Sequence, residues 1–409
     1  MADVSLTGGS ITSISGSLGN VTNAGGTIGI DGGTTGTIAN EMGTLNVAIG
    51  GQTGAVTNSD TVTNLGTVES LNNLAGTFDN SGTIIGTTTV AGGAVSNTGT
   101  MGNVSTTGGS FSSSAGSIGD ISINGGEVEL TGGTVGAVAN QAGTLTLGLQ
   151  AGAVTNSATL FLTGSATSLT NTGGTTTVSG SVSGLTTLLG GSLTNNGALN
   201  GGVTVSAGDL VSTGTIVGPL EASGGTTNVS GRLDGALLAG DGNVTITGTL
   251  TGVDSITNDG RGTLVISAGT TTLDNGGVVN NAGDLTVAGV LSGGTGTLSN
   301  SGTVNIGETG NVAMDITNNG TLQANGRITG DLTNNAGRTA NIAGTMTGDI
   351  VNAATGEVTV AGTQTGTIEN RGEVTVTGTD IGGGTNNPLL TVAEPGAVAG
   401  DISNTATLH

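Results

Sequence analysis

The sequence predicts an all-β protein folded as a parallel β-helix, a β-solenoid with turns of about 16–18 residues. Three observations predict it. A short motif, an aliphatic residue followed by any residue and then asparagine, recurs at nearly constant spacing. Between its copies small apolar residues alternate with Thr and Ser, the period-2 pattern of half-buried strands. The 409 residues include 84 glycines but only 3 prolines, and 33% of the chain is hydrophobic. That composition supplies frequent corners and an aliphatic interior, and it excludes collagen because glycine does not fall at every third position.

The motif is clearest from Asp315 to Thr377. Ile316-Thr317-Asn318, Leu332-Thr333-Asn334, Ile350-Val351-Asn352 and Ile368-Glu369-Asn370 open four successive turns, 16, 18 and 18 residues apart. A second aliphatic stretch follows each opening, as in Val358-Thr359-Val360, and then a Thr-x-Thr step, Thr345-Met346-Thr347 or Thr363-Gln364-Thr365. One such turn cannot bury its apolar face alone and needs a neighbour stacked on it. Earlier openings are Val21-Thr22-Asn23, Ile38-Ala39-Asn40, Val56-Thr57-Asn58 and Leu71-Asn72-Asn73. Val138-Ala139-Asn140, Val154-Thr155-Asn156, Leu169-Thr170-Asn171 and Leu193-Thr194-Asn195 follow. Ile256-Thr257-Asn258, Leu298-Ser299-Asn300 and Ile402-Ser403-Asn404 complete the series. Val203-Thr204-Val205, Leu220-Glu221-Ala222 and Leu237-Leu238-Ala239 keep the spacing without the asparagine. Dividing the length by the period gives about 24 turns.

Within a turn, Val, Ile and Leu are expected to face inward and Thr, Ser and Asn outward. Glycine pairs such as Gly108-Gly109 and Gly125-Gly126 mark corners that need positive φ, and asparagine is the next best residue at such corners. Asparagine side chains on successive turns are expected to bond one another as a ladder. Ile316, Leu332, Ile350 and Ile368 share a phase and are expected in one inward column. The core should be thin, with Phe78, Phe111 and Phe161 its only aromatic candidates. The spacing lengthens near 71–103, 185–202 and 254–315, which predicts longer loops there. The regular segment runs over 1–385. Residues 386–409, with Pro388 and Pro395, form less regular terminal turns of the same solenoid.

The net charge is −22, with five arginines and no lysine. Phosphate neutralisation has no basic surface to work with, so nucleic acid is excluded as a partner. No apolar run reaches the ~18 residues that span a bilayer, so no membrane insertion is expected. There is no cysteine, which leaves the redox compartment unread. Met1-Ala2-Asp3-Val4-Ser5 has neither the basic nor the apolar region of a signal peptide.

Catalytic chemistry finds few candidates, and a non-enzymatic protein is expected. The one histidine, His409, is the last residue and a poor member of any triad. Glu127 and Glu129 share a strand face, and Glu357 and Glu373 occupy equivalent steps of successive turns. Solvated surface explains both pairs. Asp331 and Asp349 sit in Gly-Asp-aliphatic corners one turn apart, where stacking brings them within about 5 Å. Two carboxylates that close repel unless a cation bridges them, and Ca²⁺ is the fitting hard cation. Solvated corners are the alternative. The Thr-x-Thr steps raise an ice-binding surface, but only Thr345/Thr347 and Thr363/Thr365 align, beside Arg327 and Thr329. The arginines, Arg232, Arg261, Arg327, Arg338 and Arg371, are expected to pair with acids on adjacent turns.

The repeats Leu332-Thr333-Asn334-Asn335-Ala336-Gly337-Arg338-Thr339 and Ile350-Val351-Asn352-Ala353-Ala354-Thr355-Gly356-Glu357-Val358-Thr359-Val360-Ala361-Gly362 resemble the passenger repeats of bacterial autotransporters and filamentous-haemagglutinin-type adhesins. The resemblance lies in repeat grammar along nearly the whole chain. It implies a right-handed β-helix at the cell surface or outside the cell, acting as a non-catalytic rod in adhesion to a cell-surface or glycan ligand. A head-to-tail filament subunit joined by end-to-end strand pairing, or a phage tail-fibre protein of a virion, is the alternative. A polysaccharide-active solenoid enzyme is a distant third.

Overall fold

The structure, a computed structural model, describes residues 1–267 and 269–380, and beyond them the strands Gly384–Asn386, Leu389–Val392, Ala397–Val398, Ile402–Asn404 and Thr407–Leu408. It contains 63% strand and no helix among the described residues, arranged as parallel stacked coils of about 22 turns. The coils fall into two compact units. The first comprises Met1–Thr186 with Gly190–Leu193, and the second Thr187–Leu189 with Thr194–His409.

In the first unit a representative turn has three strands, Val56–Asn58, Thr61–Asn64 and Thr67–Val68. Each pairs in parallel with its counterpart in the next turn: Val56 with Leu71, Thr61 with Thr77 and Thr67 with Thr83. The second unit repeats the plan. Leu332–Asn334, Thr339–Ile342 and Thr345–Thr347 pair with Ile350–Asn352, Glu357–Val360 and Thr363–Thr365. The strands are too short to be stable alone, and parallel ladders to the neighbouring turns satisfy their backbone groups.

Alternation decides what is buried. Ile316, Leu332, Ile350 and Ile368 are in register as one column, and all are buried, as expected. In the first unit Val62, Phe78, Val95, Phe111 and Val128 form a second-strand column. Large and small side chains alternate along it, so the two rings fit without overpacking. Phe161 departs from the expectation. It lies outward between Thr146 and Thr177 and is 44% exposed, because its flanking Leu160 and Leu162 take the inward phase.

The asparagines of the openings also differ from the expectation that they face solvent or occupy positive-φ corners. In aliphatic-x-Asn the first and third residues share a face, so burying the aliphatic residue buries the asparagine. Asn23, Asn40, Asn58, Asn318, Asn334 and Asn352 are 0% exposed. The only non-glycine residue with positive φ among those described is Thr355. Within each run the buried amides bond one another in the expected ladder. In the first unit Asn23 Nδ2 donates to Asn40 Oδ1 (2.7 Å), Asn40 to Asn58 (2.8 Å) and Asn58 to Asn73 (2.7 Å). A second ladder at the end of the second strand runs Asn64, Asn80, Asn97 and Ser113. A third joins Asn140, Asn156 and Asn171. In the second unit Asn258, Asn281, Asn300, Asn318, Asn334, Asn352 and Asn370 form one run.

Three further expectations change. Leu193-Thr194-Asn195 is not an opening but part of a second strand, Ser192–Asn195. The loops expected near 71–103 and 185–202 are absent. Thr88-Thr89-Val90 and Thr186-Thr187-Leu188 serve as first strands there without aliphatic-x-Asn, and Leu71, Thr88 and Val104 keep a regular register. The third lengthening is real. Between third and first strands the chain bulges in Leu250–Asn258, Thr270–Asn281 and Val290–Asn300. Val253, Leu273 and Met314 fill the bulge, and Met314 Cε occupies the space beside Gly293 where a Cβ would stand. These longer turns reduce the count from about 24 to about 22. Beyond residue 385, Leu389–Val392 and Ile402–Asn404 continue the parallel register; Pro388, Pro395, Asp401 and His409 lie outside the described residues.

Candidate functional site

The corner entering each first strand places the acidic residues. In the second unit Asp315, Asp331 and Asp349 each precede an opening. Asp315 Oδ1 accepts the backbone N–H of Asp331 (2.8 Å), Asp331 Oδ1 that of Asp349 (2.8 Å), and Asp349 Oδ1 that of Thr367 (2.7 Å). The same bond is made in the first unit by Asp3 to Asn20 and Asn20 to Thr37, and by Asn103 to Asp120 and Asp120 to Ala137. Asparagine and aspartate are interchangeable in this place because the bond uses only a side-chain carbonyl-type oxygen.

Glycine precedes Asp331, Asp349 and Thr367 for a related reason. Gly348 and Gly366 have φ of 146° and 141°. A Cβ on them would lie 2.2 and 2.3 Å from the carbonyl oxygens of Gly330 and Gly348, and would also crowd Asp331 and Asp349 Oδ1 at 3.0 and 2.9 Å. The Gly-Asp corner is therefore a local packing solution in which the carboxylate leans over the glycine of the next turn. Asp331 and Asp349 are brought to successive corners as expected, both exposed. Each has one oxygen engaged by a backbone donor, and the outer oxygens remain the atoms with which a Ca²⁺ could be shared. No group of three or more His, Asp or Glu residues converges among the described residues.

The other candidates are dispersed. Glu127 and Glu129 are exposed and flanked by Ser110 and Ser112 on one turn and Thr144 and Thr146 on the other. Glu357 and Glu373 are directly opposed on adjacent turns, an unfavourable cross-strand pair of like charges. Thr345 and Thr347 align with Thr363 and Thr365, beside Arg327 and Thr329. Among the described residues, Arg261 alone of the arginines reaches an acid on an adjacent turn, Asp241 at 3.6 Å. Arg232 and Arg371 instead pair within their own strand segments, with Asp234 at 2.7 Å and Glu369 at 2.6 Å, since residues two apart on a strand share a face.

Two surface features were not legible as sites. Thr67, Thr83, Thr100, Ser117 and Thr134 form an unbroken outward column of hydroxyls on third strands of the first unit. Its trace in the sequence is a hydroxyl residue followed by an aliphatic one, as in Thr67-Val68, Thr83-Ile84 and Ser117-Ile118, a pair too short and too common to mark a site. A shallow open groove of about 470 Å³ also crosses first strands of that unit, lined by Asn103, Asp120 and the column Ser105, Ser122, Ala139 and Thr155. No protein-family model, curated protein or solved structure matches this chain.

Proposed function

We propose that this chain is a non-catalytic structural solenoid of a bacterial surface or secreted protein, presenting its outer faces for adhesion or matrix contact. The observation that carries the reading is the division of labour among side chains. The polar groups with the most elaborate bonding, the asparagine ladders, are buried and structural. The outward groups are repetitive hydroxyls and dispersed carboxylates, of which Thr67 to Thr134 are the most regular. A repeated shallow hydroxyl surface suits a glycan or an extended matrix polymer, which offers hydrogen-bonding groups at many points. The repeat resemblance to autotransporter and filamentous-haemagglutinin-type passengers supports the same reading.

The test is binding of the labelled full chain to host-cell surfaces and to an immobilised glycan panel. Saturable binding that falls when Thr83, Thr100 and Ser117 are replaced together by Glu supports the proposal. Binding indistinguishable from that of an unrelated acidic protein overturns it. The alternative is a head-to-tail filament subunit or a phage tail-fibre protein. A net charge of −22 opposes side-by-side association and leaves end-to-end strand pairing as the favoured contact. Electron microscopy separates the readings: discrete particles at all concentrations argue against self-assembly, and concentration-dependent fibres argue for it. A screen for reducing-end release from acidic polysaccharides tests the enzymatic alternative.

A further inference from the structure

We propose that the second unit contains a built-in seam between Ala239 and Asn258, at which it opens as two separately unfolding blocks. Three features of the inter-turn contact coincide at this one step.

The first is the interior ladder. Asn258 Nδ2 donates toward the C-terminal side, to Asn281 Oδ1 at 2.8 Å and to the Asp284 carbonyl at 3.1 Å. Its Oδ1 is buried with no hydrogen-bond partner. The ladder has a direction, each amide donating to the next turn, so the first asparagine of a run needs a donor from the turn before. That place is held by Ala239, in register with Asn258 and fully buried. Asn23 and Asn140, the first members of runs in the other unit, have the same unpartnered oxygen and stand opposite Leu6 and Ile123. The orphaned acceptor thus marks where a first-strand ladder starts; Asn64, which starts the second-strand ladder, instead accepts the Gly66 amide at 3.1 Å.

The second is the third-strand pairing. One turn earlier Thr215, Ile216 and Val217 pair with Arg232, Leu233 and Asp234. At the seam this reduces to Gly235 with Val253, with a register shift before Leu237. The third is the surface. The ion pair crossing this step is Arg261–Asp241 at 3.6 Å, with side chains 81% and 53% exposed, which contributes little to holding the turns together. First-strand pairing of Leu237, Leu238 and Ala239 with Ile256, Thr257 and Asn258 and second-strand pairing of Val244, Thr245 and Ile246 with Leu264, Val265 and Ile266 persist, so the seam is closed in the native state but lacks both the ladder bond and all but one pair of the third strand. In a stack of turns, cooperativity follows from the nearest-neighbour interfaces, and the weakest interface sets where blocks separate.

The arginines provide a direct test, because every tryptic site of the chain lies in the second unit. Arg261 and Arg338 occupy corresponding corners between first and second strands, one at the seam and one within the ladder. Limited trypsin digestion of the full native chain should cleave after Arg261 about tenfold faster than after Arg338, the factor expected for roughly one hydrogen bond's worth of coupling. In Ala239→Asn the new amide is placed to donate to Asn258 Oδ1, and the ratio should fall toward one. Hydrogen exchange in sub-denaturing urea supplies a second readout that needs no variant: amides of 220–239 and of 264–318 should open with different denaturant dependence. Equal cleavage at the two arginines, or one common opening of both segments, overturns the proposal. If Ala239→Asn does not fold, Ala239→Ser offers a smaller donor, and the exchange measurement on the unaltered chain decides alone.

Discussion

Replacing Asn318 by alanine removes one interior rung of the long ladder, and its cost can be worked bond by bond. Asn318 Oδ1 accepts from Asn300 Nδ2 at 2.8 Å and from the Gly320 amide at 3.2 Å. Its Nδ2 donates to Asn334 Oδ1 at 2.8 Å and to the Thr339 carbonyl at 3.1 Å. Asn300 Nδ2 keeps its bond to the Thr321 carbonyl at 3.0 Å, so it is not stranded. Asn334 Oδ1 loses its donor inside the core, and the Gly320 amide loses its acceptor. Net hydrogen bonds are worth about 1 kcal/mol each, and a buried orphan costs about 1–3 kcal/mol. The sum, allowing for overlap between the two, is about 3–5 kcal/mol, concentrated in the turns on either side of the rung. Urea denaturation followed by circular dichroism reads the total, and hydrogen exchange at Gly320 and Thr339 reads its location. Asn319→Ala is the control, since that exposed side chain makes only the 2.7 Å contact to Asn335 and should change stability by less than about 0.5 kcal/mol. If Asn318→Ala costs no more than Asn319→Ala, the ladder does not hold the turns and the reasoning fails.

Ile350→Asp places a carboxylate in the column between Leu332 and Ile368, and should cost several kcal/mol and open the surrounding turns to protease; unchanged melting would show the register to be wrong. Thr355, at φ 64°, occupies the place that Gly337, at 67°, fills one turn earlier. Thr355→Gly should therefore stabilise by about 0.5–1 kcal/mol, the left-handed penalty of a β-branched residue less the added chain entropy of glycine, and a lower melting temperature refutes it. A Ca²⁺ ion shared by Asp331 and Asp349 predicts a rise in melting temperature at millimolar Ca²⁺ that is lost in the double Asp→Asn variant. That variant keeps the oxygens that accept the backbone amides, so its apo stability should hold, and calorimetry without heat of binding removes the cation.

The architecture was legible because two periods coincide in the sequence, the alternation within strands and the recurrence of the opening. The column Ile316, Leu332, Ile350, Ile368 followed from phase alone. The placement of asparagine did not follow from polarity, because a buried amide in a single turn is unfavourable and becomes favourable only when the next turn supplies its partner. That partner lies 15 to 23 residues away in the ladders observed, beyond any local propensity. Where the asparagine is missing, as at Thr88-Thr89-Val90, motif counting loses the strand although the backbone keeps its register. The acidic corners were located correctly as successive positions. Their bonds to backbone amides were not readable, because they depend on the close approach of a glycine in the following turn.

Strand register in such a chain poses a problem that apolar residues alone do not solve. A one-residue slip exposes the whole inward set, but a two-residue slip keeps every alternation and exchanges one Val, Ile, Ala or Thr for another of similar size. The asparagine rungs break that degeneracy. Shifting Ile350–Asn352 by two residues would set Asn352 against an aliphatic neighbour instead of Asn334 and Asn370, losing both 2.9 Å inter-rung bonds and leaving amide groups buried without partners. The Gly-Asp corners impose the same constraint from outside, since a carboxylate moved by one position no longer lies over a glycine and meets a Cβ instead. Interior and corner thus specify one alignment together. This accounts for polar residues occupying core volume that leucine could fill: they trade some apolar burial for a single register, the use of buried polar groups for which the specificity argument is strongest.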